Sequence, residues 1–260
     1  MAFLEKNGIR YYSFERFPTT ITQAVFTRQG GVSPEPWGSL NMGGSVGDDL
    51  DNVRENRLRA FAALGRKPES LFDVWQVHSA DVAFGDEPRD WNVPETKADI
   101  IFTDNPNVTL FMRFADCTPL FFYDGAKKVV GLAHAGWMGT MRGVAKAAIQ
   151  AMTNRYGSRP EDIQAAIGPA IGPDHYEVGQ NVIEQARQVF DAAAPSLLPS
   201  HRNNTHFDLW AANRLMLRQA GVKQIEVAEI CTACHPDDWF SHRGEHGRTG
   251  RFGAMIALNN

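Results

Sequence analysis

The sequence predicts an α/β (α+β) fold, a single domain with mixed β-sheets flanked by helices. Short apolar segments rich in β-branched and aromatic residues predict strands, and Ala-rich or amphipathic segments between them predict helices. Their order is neither strict strand–helix alternation nor all-β, which favours mixed sheets. No Pro/Ser-rich linker and no internal repeat divides the 260 residues, so we expect one domain over residues 1–260.

The N-terminal half is expected to contain strands, one long loop and one helix. Residues 21–28 (ITQAVFTR) predict a strand, and the next 21 residues hold six glycines and two prolines, which indicates an ordered loop. Asp48–Leu64 predicts a helix because apolar residues recur near the 3.6 period, with Gly65 as the stop. Further strands are expected within Leu71–Ala83, 98–104, 108–124 (broken at Asp116–Pro119) and 129–136.

The C-terminal half is expected to contain more helix. Gly139–Tyr156 is rich in Ala and closed by Gly157, and Asp208 is a plausible N-cap for a helix that runs to Gln219. A Cys/His/Arg-rich loop precedes the last strand. The remaining predicted elements are strands at 163–172, 224–230 and 253–259 and a helix over Asn181–Ala194.

Composition excludes several classes of function. Twenty-six basic and 30 acidic residues give a net charge of −4 without any Lys/Arg run, so no nucleic-acid partner is predicted. The longest apolar stretches are too short to span a membrane, and the N-terminus lacks a signal-peptide pattern. Three cysteines do not make a disulfide framework. We therefore expect a reduced, cytoplasmic protein whose thiols are available for chemistry.

Three polar residues follow apolar strand segments and precede turns: His78, Cys117 and His134. Two imidazoles and one thiolate suit Zn²⁺, and three protein ligands would leave the fourth position of a catalytic site open. Each residue could instead be an isolated core residue. A third interpretation makes Cys117 a nucleophile and His134 its base, with Asp116 or another carboxylate as the residue that orients the base. Spacing alone does not separate these interpretations.

The segment Cys231–His235 matches the C-x-x-C-H pattern of haem attachment, but no export signal accompanies it, so no haem is predicted. A zinc knuckle formed by Cys231, Cys234 and His235 with His242 or His246 is an alternative. The favoured interpretation is a loop with buried or idle thiols.

Arg28 is a candidate anion ligand because it closes a predicted strand just before Gly30 and Gly31, where backbone N–H groups can face an anion. The basic residues within 241–251 are compatible with a solvated loop paired with Glu245. The segment 168–173 (GPAIGP) lacks the Lys of a P-loop, so no nucleoside triphosphate site is predicted there.

The motifs, taken in order, resemble the YfiH-like laccase-domain family, whose members have been described as polyphenol oxidases, purine nucleoside phosphorylases and peptidoglycan editing factors. The resemblance covers nearly the whole chain. It rests on these segments: FTRQGGVS, SLNMG, WQVHSADV, ADCTPLFFYD, GLAHAGWMGT, AAIGPAIGPDHYEVG, DLWAANRLML and FSHRGEHGRTGR.

This resemblance implies a fold related to cysteine-hydrolase-like toxins and a zinc site formed by His78, Cys117 and His134, which we also expect to be the catalytic residues. Where the family pattern HAGWRG has Arg, this chain has Met138, which leaves its effect on substrate preference open. Substrate contacts are expected from residues within the matching motifs: Arg28, Asn41, Gln76, Asp116 and Arg243.

The implied function is a zinc-dependent purine nucleoside enzyme that cleaves adenosine, inosine or guanosine with phosphate and deaminates adenosine. Three alternatives stay open: a peptidoglycan-precursor editing hydrolase that uses the same Cys/His centre, a copper-dependent polyphenol oxidase, and a non-catalytic, zinc-stabilised metabolite-binding protein. Copper is the less favoured metal, because the chain has only eight His and no His-x-His pair, whereas multicopper oxidases use such pairs.

Overall fold

Two six-stranded sheets stacked face to face dominate the computed structural model, which describes residues 2–90 and 93–259. The strands are β1 (Ala2–Lys6), β2 (Ile9–Ser13), β3 (Ile21–Phe26), β4 (Leu71–Phe72), β5 (Val82–Phe84), β6 (Ile100–Thr103), β7 (Thr109–Phe114), β8 (Thr118–Asp124), β9 (Val129–Ala135), β10 (Gln164–Ile167), β11 (Ser200–His201), β12 (Asn204–Thr205), β13 (Gln224–Val227) and β14 (Phe252–Leu258). The α-helices are α1 (Leu50–Ala63), α2 (Trp137–Met141), α3 (Val144–Tyr156), α4 (Gln180–Phe190), α5 (Ala194–Leu197) and α6 (Leu209–Gln219).

Both sheets are mixed, as the sequence predicts. The first has the order β1-β2-β3-β14-β7-β4 and is antiparallel except for the β4/β7 pair. The second has the order β13-β10-β8-β9-β6-β5 and is parallel only at its two outer pairs. A short β11/β12 hairpin stands apart from both sheets.

The described residues form four layers, because both sheets are apolar on both faces. In β9, Val130 and Leu132 pack between the sheets, whereas Val129 and Ala133 face helices α3 and α6. This alternation is the period-2 geometry of a strand. On the far side of the first sheet, Phe111 packs with residues of α1. The order of layers is therefore α1, first sheet, second sheet, and the helices of the C-terminal half.

Helix boundaries follow local capping chemistry. The Asp49 side chain accepts a hydrogen bond from the N–H of Asp51 at the start of α1, and that of Asp208 accepts from Ala211 at the start of α6. The sequence predicted both helices, and it predicted the Asp208 cap. The single helix expected over Gly139–Tyr156 is instead α2 and α3, because Gly143 adopts a left-handed conformation (φ 78°) between them.

Two other expected elements are wrong in part. Leu71–Ala83 is a strand only at β4, with β5 beginning at Val82; between them the chain is a loop that carries His78 at φ 58°. The helix expected over Asn181–Ala194 ends at Phe190 and continues as a 3₁₀ turn into α5. The expected break within 108–124 is confirmed: Asp116 has φ 81° between β7 and β8. No helix within residues 2–90 and 93–259 has the length and apolarity needed to cross a membrane.

The Gly-rich loop predicted after β3 is ordered by one buried side chain on α1. Asn56 accepts a hydrogen bond from the N–H of Val32 (2.9 Å). Its amide nitrogen lies 2.8 Å from Ser33 Oγ, 3.1 Å from the Ser39 carbonyl and 2.8 Å from the Asn41 carbonyl. Since Asn56 is fully buried, these contacts fix the loop to α1.

We expect Asn56→Ala to lower the free energy of unfolding by about 2–4 kcal/mol, because several buried polar groups of the loop lose their partner. The measurement is urea unfolding followed by circular dichroism. Asn154→Ala, the same change at an exposed position of α3, is the control and should have little effect. Equal stability of the two variants would contradict this role of Asn56.

Candidate active site

The fold brings together the three residues that the sequence singled out, His78, Cys117 and His134. The Nε2 atom of His78 lies 3.8 Å from the Cys117 Sγ, and the imidazole rings of His78 and His134 are 4.8 Å apart between centroids. One ligand atom from each of the three residues lies within 4.8 Å of the others. They therefore form one group, although 56 positions of sequence separate the first from the last.

Different elements position the three side chains. His134 lies in β9 on the same face as Val130 and Leu132, so it points between the sheets, where its ring is 5.5 Å from that of Phe114. Cys117 lies at the break between β7 and β8. The group therefore lies at one end of the space between the two sheets.

The carboxylate of Asp99 contacts both the loop that carries His78 and the ring of His134. It accepts hydrogen bonds from the backbone N–H groups of Val77 (3.1 Å), His78 (3.0 Å) and Ser79 (2.6 Å). It also lies 2.8 Å from Nδ1 of His134. These contacts stabilise the loop that carries His78 and direct Nε2 of His134 away from the carboxylate.

Glycine is required at position 136, where the backbone passes over the group. A Cβ there would lie 2.7 Å from Cys117 Sγ and 3.1 Å from Cδ2 of His78, both inside normal contact distance. The space beside the thiol and the imidazole is therefore kept open by the absence of a side chain.

The electrostatics of the group favour a thiolate and an imidazolium in the metal-free protein. Burial raises the pKa of the Cys117 thiol, but the charge and hydrogen bond of His134 and the contact with His78 outweigh burial and lower it to about 6. Burial also lowers the pKa of His134, while the Cys117 thiolate and the Asp99 carboxylate together raise it to about 9. The pKa of Asp99 is itself below its usual value, because its hydrogen bonds and the charge of His134 outweigh its burial.

This donor set fits a metal ion. Two imidazole nitrogens and one ionisable sulfur converge within the spacing given above, and a carboxylate holds one of the imidazoles, which is the usual arrangement behind a metal-bound His. The described group supplies three ligands, so a bound ion would retain a position for water or substrate.

The group opens into a cleft of about 1250 Å³. Small-molecule sites usually measure about 300–1,000 Å³, so the cleft is large enough for more than one small ligand. Its walls include the glycine loop at Gly43 and Gly44, one face of α1, and the aromatic side chains of Trp75 and Phe114. A largely exposed Trp75 (45%) offers an aromatic face to the cleft.

Positive charge dominates the cleft. Its lining residues include two glutamates, Glu69 and Glu95, and five arginines, Arg54, Arg57, Arg89, Arg113 and Arg251. The buried Asp73 carboxylate lies 2.6 Å from Arg89, 3.8 Å from Arg57 and 3.7 Å from Arg113. Among the residues that the structure describes, no carboxylate lies within ion-pair distance of Arg54 or Arg251. These two arginines are the ones best placed to bind an anion in the cleft.

The predicted substrate residues fall into two sets. Gln76 lines the cleft and exchanges two hydrogen bonds with the backbone of Arg113. Asn41 is buried behind the cleft wall, where its Oδ1 accepts from the N–H groups of Gly43 and Arg251. Its contact with substrate stays a prediction, and what the contacts establish is support for the glycine loop.

Asp116 and Arg243 are joined to each other rather than to the cleft. The Asp116 carboxylate accepts from Thr232 Oγ1 (2.7 Å) and from the Arg243 N–H (2.6 Å). The Arg243 guanidinium donates to the carbonyl of Glu177 (2.8 Å) and lies over Tyr176. Neither residue is among those that line the cleft, so their contact with substrate stays a prediction.

Arg28 is held outside the cleft by partners distant in sequence. Its guanidinium pairs with Glu245 at 3.0 Å, donates to the carbonyls of Gly38 and Pro236, and lies over the ring of Phe240. A phosphate at Arg28 would have to displace the carboxylate of Glu245. The proposed phosphate contact of Arg28 therefore stays a prediction, with a competing anion already in place.

Sequence reasoning missed Asp99 and the cleft arginines. Asp99 is the second residue of the segment ADIIFTD and directly precedes β6, and a carboxylate at the start of a buried strand was a signal that could have been followed. The arginines come from α1, from the loop after β5 and from β7 and β14 or their edges. No spacing in the sequence connects them.

Comparison with known proteins finds a family and relatives that match most of the chain. The family model described as "Multi-copper polyphenol oxidoreductase laccase" matches residues 22–259. The "Purine nucleoside phosphorylase" of Deinococcus radiodurans is 38% identical over 238 residues, covering 92% of this chain and 89% of that protein. The "Purine nucleoside phosphorylase YfiH" of Escherichia coli is 36% identical over 242 residues, covering 93% and 95%.

Solved structures agree with the fold. The crystal structure of the hypothetical protein YfiH from Bacillus licheniformis superposes with a TM-score of 0.90 at 33% identity, covering 97% of each chain. The crystal structure of YlmD from Geobacillus stearothermophilus gives a TM-score of 0.88 at 36% identity, covering 99% of each.

We expect Cys117 to be alkylated before the other two cysteines when metal-free protein is treated with limiting iodoacetamide at pH 7. Its pKa is about 6, whereas that of Cys234 is raised to about 12 by partial burial and by its neighbours Cys231 and Asp174, and Cys231 is buried. Peptide mapping by mass spectrometry measures the order.

The pH profile of this alkylation gives a second check. The reactive thiolate should be lost as the pH falls through about 6. In His134→Gln the imidazolium is gone, so the midpoint should move to higher pH. Preferential labelling of Cys234, or an unchanged midpoint in His134→Gln, would contradict the assignment.

We expect Asp99→Asn to weaken zinc binding about 10- to 100-fold, because a neutral amide orients and polarises His134 less well than a carboxylate. Competition with a chromophoric chelator measures the affinity. Asp124→Asn is the matched control, since this buried carboxylate also accepts backbone N–H groups, from Ala126 and Lys127, but is not part of the group. Equal affinities in the two variants would count against the role of Asp99.

Proposed function

Because this chain belongs to the multi-copper polyphenol oxidoreductase laccase family, we propose that it is a zinc-dependent purine nucleoside phosphorylase. The observation that carries the proposal is the cleft: the His78, Cys117 and His134 group lies in the same cavity as an excess of arginine and an exposed aromatic face. The curated relatives in Deinococcus radiodurans and Escherichia coli that bear the name purine nucleoside phosphorylase support it.

Phosphorolysis joins a phosphate oxygen to C1′ of the ribose as the bond from C1′ to the purine nitrogen breaks. The bonding electrons leave with the base, which must gain a proton, and the products are the free purine and ribose 1-phosphate. The reaction therefore needs an anion site beside the ribose, a surface for the base and a proton donor. The cleft contains a residue type suited to each.

The arginines supply the anion site. Arg54 and Arg251 line the cleft, and no carboxylate of a described residue competes with a phosphate dianion for them. One nitrogen of Arg251 donates to the carbonyls of Thr249 and Gly250, which leaves its other N–H groups for the anion. Backbone N–H groups of the glycine loop at Gly43 and Gly44 lie in the same wall. Arg57, Arg89 and Arg113 add positive potential without losing their contact with Asp73.

Aromatic and carboxylate groups would hold the nucleoside. The exposed Trp75 and the lining residue Phe114 offer apolar contact to a purine ring. The carboxylates of Glu69 and Glu95 can accept hydrogen bonds from ribose hydroxyls. His134 would be a neutral ligand in the zinc-bound group, so the imidazole in the cleft lining that is left to supply the proton for the base is that of His242.

Zn²⁺ is the metal that fits the donors best, because thiolate and imidazole are its common ligands and a three-ligand site matches its catalytic geometry. Bound there by His78, Cys117 and His134, it would supply a Lewis acid and an acidified water. Copper fits less well. The described residues contain two groups that could hold a metal, one of His/Cys/His and one of Asp/His/Cys/Cys, and neither has the His cluster of a multicopper site.

Adenosine deamination is a second candidate activity of the same cleft. It replaces the 6-amino group of the base with a water oxygen and releases ammonia, so it needs an activated water but no phosphate. The open position of the three-ligand group favours it. Amide hydrolysis of a peptidoglycan precursor would use the same centre, but the excess of arginine and the aromatic wall favour a nucleoside with phosphate.

The decisive experiment incubates metal-quantified protein with adenosine, inosine and guanosine, with and without inorganic phosphate. We expect free purine and ribose 1-phosphate only with phosphate, and inosine with ammonia from adenosine in either condition. Cys117→Ser and chelation should abolish both reactions, whereas His201→Gln, at an exposed histidine of β11, should abolish neither. Absence of phosphate-dependent cleavage for all three nucleosides would refute the proposal.

We expect Arg251→Gln and Arg54→Gln to raise the apparent KM for phosphate about 10- to 100-fold, since each loses a charge-assisted contact. Phosphate-independent deamination should be retained. Arg59→Gln is the control, because Arg59 lies on α1 but pairs with Glu55 and does not line the cleft. If Arg28→Ala raises this KM more than Arg251→Gln does, the phosphate site is at Arg28, as the sequence alone suggested.

A further inference from the structure

A second group of metal-ligating side chains lies outside the cleft. It consists of Asp174, His175, Cys231 and Cys234, whose ligand atoms all lie within 4.8 Å of one another. None of the four lines the cleft. The two thiols are free, and three of the four side chains are exposed to solvent, so an ion can reach them without passing through the first site.

The distances within this group match those of a tetrahedral ion site. His175 Nδ1 lies 3.8 Å from Cys231 Sγ and 3.4 Å from Cys234 Sγ, and Asp174 Oδ2 lies 3.4 Å from Cys234 Sγ and 3.1 Å from His175 Nδ1. Zinc bonds of about 2.0–2.3 Å place neighbouring ligands of a tetrahedron about 3.3–3.8 Å apart. The four distances given lie at or near this range, and the remaining pairs lie within 4.8 Å, so small side-chain adjustments would bring all four atoms onto one ion.

The backbone around the group brings the two segments together. Cys231 forms a bridge with Ala170, and its Sγ accepts from the N–H of Gly172 (3.2 Å). A Cβ at Gly172 would lie 3.0 Å from Cys231 Cβ and 2.6 Å from Asp174 Oδ1. The glycine therefore permits the turn that carries Asp174 and His175 to pack against the Cys-x-x-Cys segment.

We propose that Asp174, His175, Cys231 and Cys234 bind a second divalent ion of the zinc class. Two thiolates, one imidazole and one carboxylate are donors that Zn²⁺ accepts, and soft sulfur ligands disfavour Mg²⁺ and Ca²⁺. Because four protein ligands complete a tetrahedron, this second site is structural. It differs in that respect from the three-ligand group in the cleft.

The ligand set differs from the zinc knuckle that the sequence suggested. There His235 would join the two cysteines, with His242 or His246 as the fourth ligand. In the structure His235 Nδ1 lies 3.0 Å from the Cys231 carbonyl, so its ring contacts the backbone of its own turn. The third and fourth ligands come instead from a segment nearly 60 residues earlier in the chain, which C-x-x-C-H spacing does not reveal.

An ion here would cross-link two loops that both contact Asp116. Thr232 Oγ1 donates to the Asp116 carboxylate, and the N–H of Ile171 donates to its carbonyl (3.0 Å). Asp116 directly precedes Cys117. The second site would therefore stabilise the backbone beside the first without contacting substrate.

Zinc stoichiometry tests the proposal without any assay of activity. Chelator-stripped, reduced protein is titrated with Zn²⁺ alone and its bound metal is counted after gel filtration. We expect two ions per chain in the parent protein, one in Cys117→Ala, one in Cys234→Ser or His175→Ala, and none in Cys117→Ala combined with Cys234→Ser. His235→Ala is the control and should retain two.

Thermal unfolding gives a second readout. In the Cys117→Ala background, Zn²⁺ should raise the Tm, because an ion that binds only the folded state stabilises it by mass action. The rise should vanish when Cys234→Ser is added. Since Cys234 and His175 are exposed, circular dichroism should show that both variants fold.

Three results would overturn the second site. They are unchanged zinc content in Cys234→Ser and His175→Ala, loss of one ion in His235→Ala, and a Cys231–Cys234 disulfide in protein kept under reducing conditions. If the parent protein shows no nucleoside phosphorolysis, the proposed function is refuted, but the expected number of zinc ions per chain is unchanged. The two proposals can therefore fail separately.

Discussion

The candidate active site depends on one buried carboxylate. Asp99 accepts from three successive backbone N–H groups of the loop at residues 77–79 and contacts the ring of His134. The loop has no strand partner at His78, which adopts φ 58°, so this carboxylate replaces the missing ladder bonds. Without it, one histidine would lose its backbone support and the other its orientation.

The stacking of the two sheets places the site. Strand alternation gives each sheet an inner and an outer apolar face, and His134 continues the inner series of β9 beyond the last aliphatic residue. The break at Asp116 brings Cys117 to the same edge, since β8 pairs with β9 so that Pro119 lies opposite His134. The chemistry thus lies where the core between the sheets ends and the cleft begins.

Local patterns in the sequence predicted the strands and helix starts that local interactions determine. Short apolar segments predicted the strands around Phe111 and Leu132, and an Asp cap predicted the start of α6. The trio of site residues was predicted because polar side chains interrupt apolar segments. The loop conformation at His78 was missed, because its stabilising partner Asp99 lies 21 residues away. The ion pair of Arg28 with Glu245, which spans 217 residues, was missed for the same reason.

The charge of the cleft follows from how its arginines are held. Burial is the main cause that lowers the pKa of Arg57 to about 10, and the neighbouring Arg113 lowers it further, while Asp73 acts in the opposite direction. Three guanidinium groups lie within ion-pair distance of one buried carboxylate, and Glu95 pairs with Arg113 at 3.1 Å, so two carboxylates only partly balance the three positive charges. Because the Asp73 carboxylate is buried and the cleft is open, this positive potential extends into the cleft, whose lining also includes Arg54 and Arg251. An anion bound in the cleft would neutralise positive charge that the carboxylates of the folded chain leave unpaired.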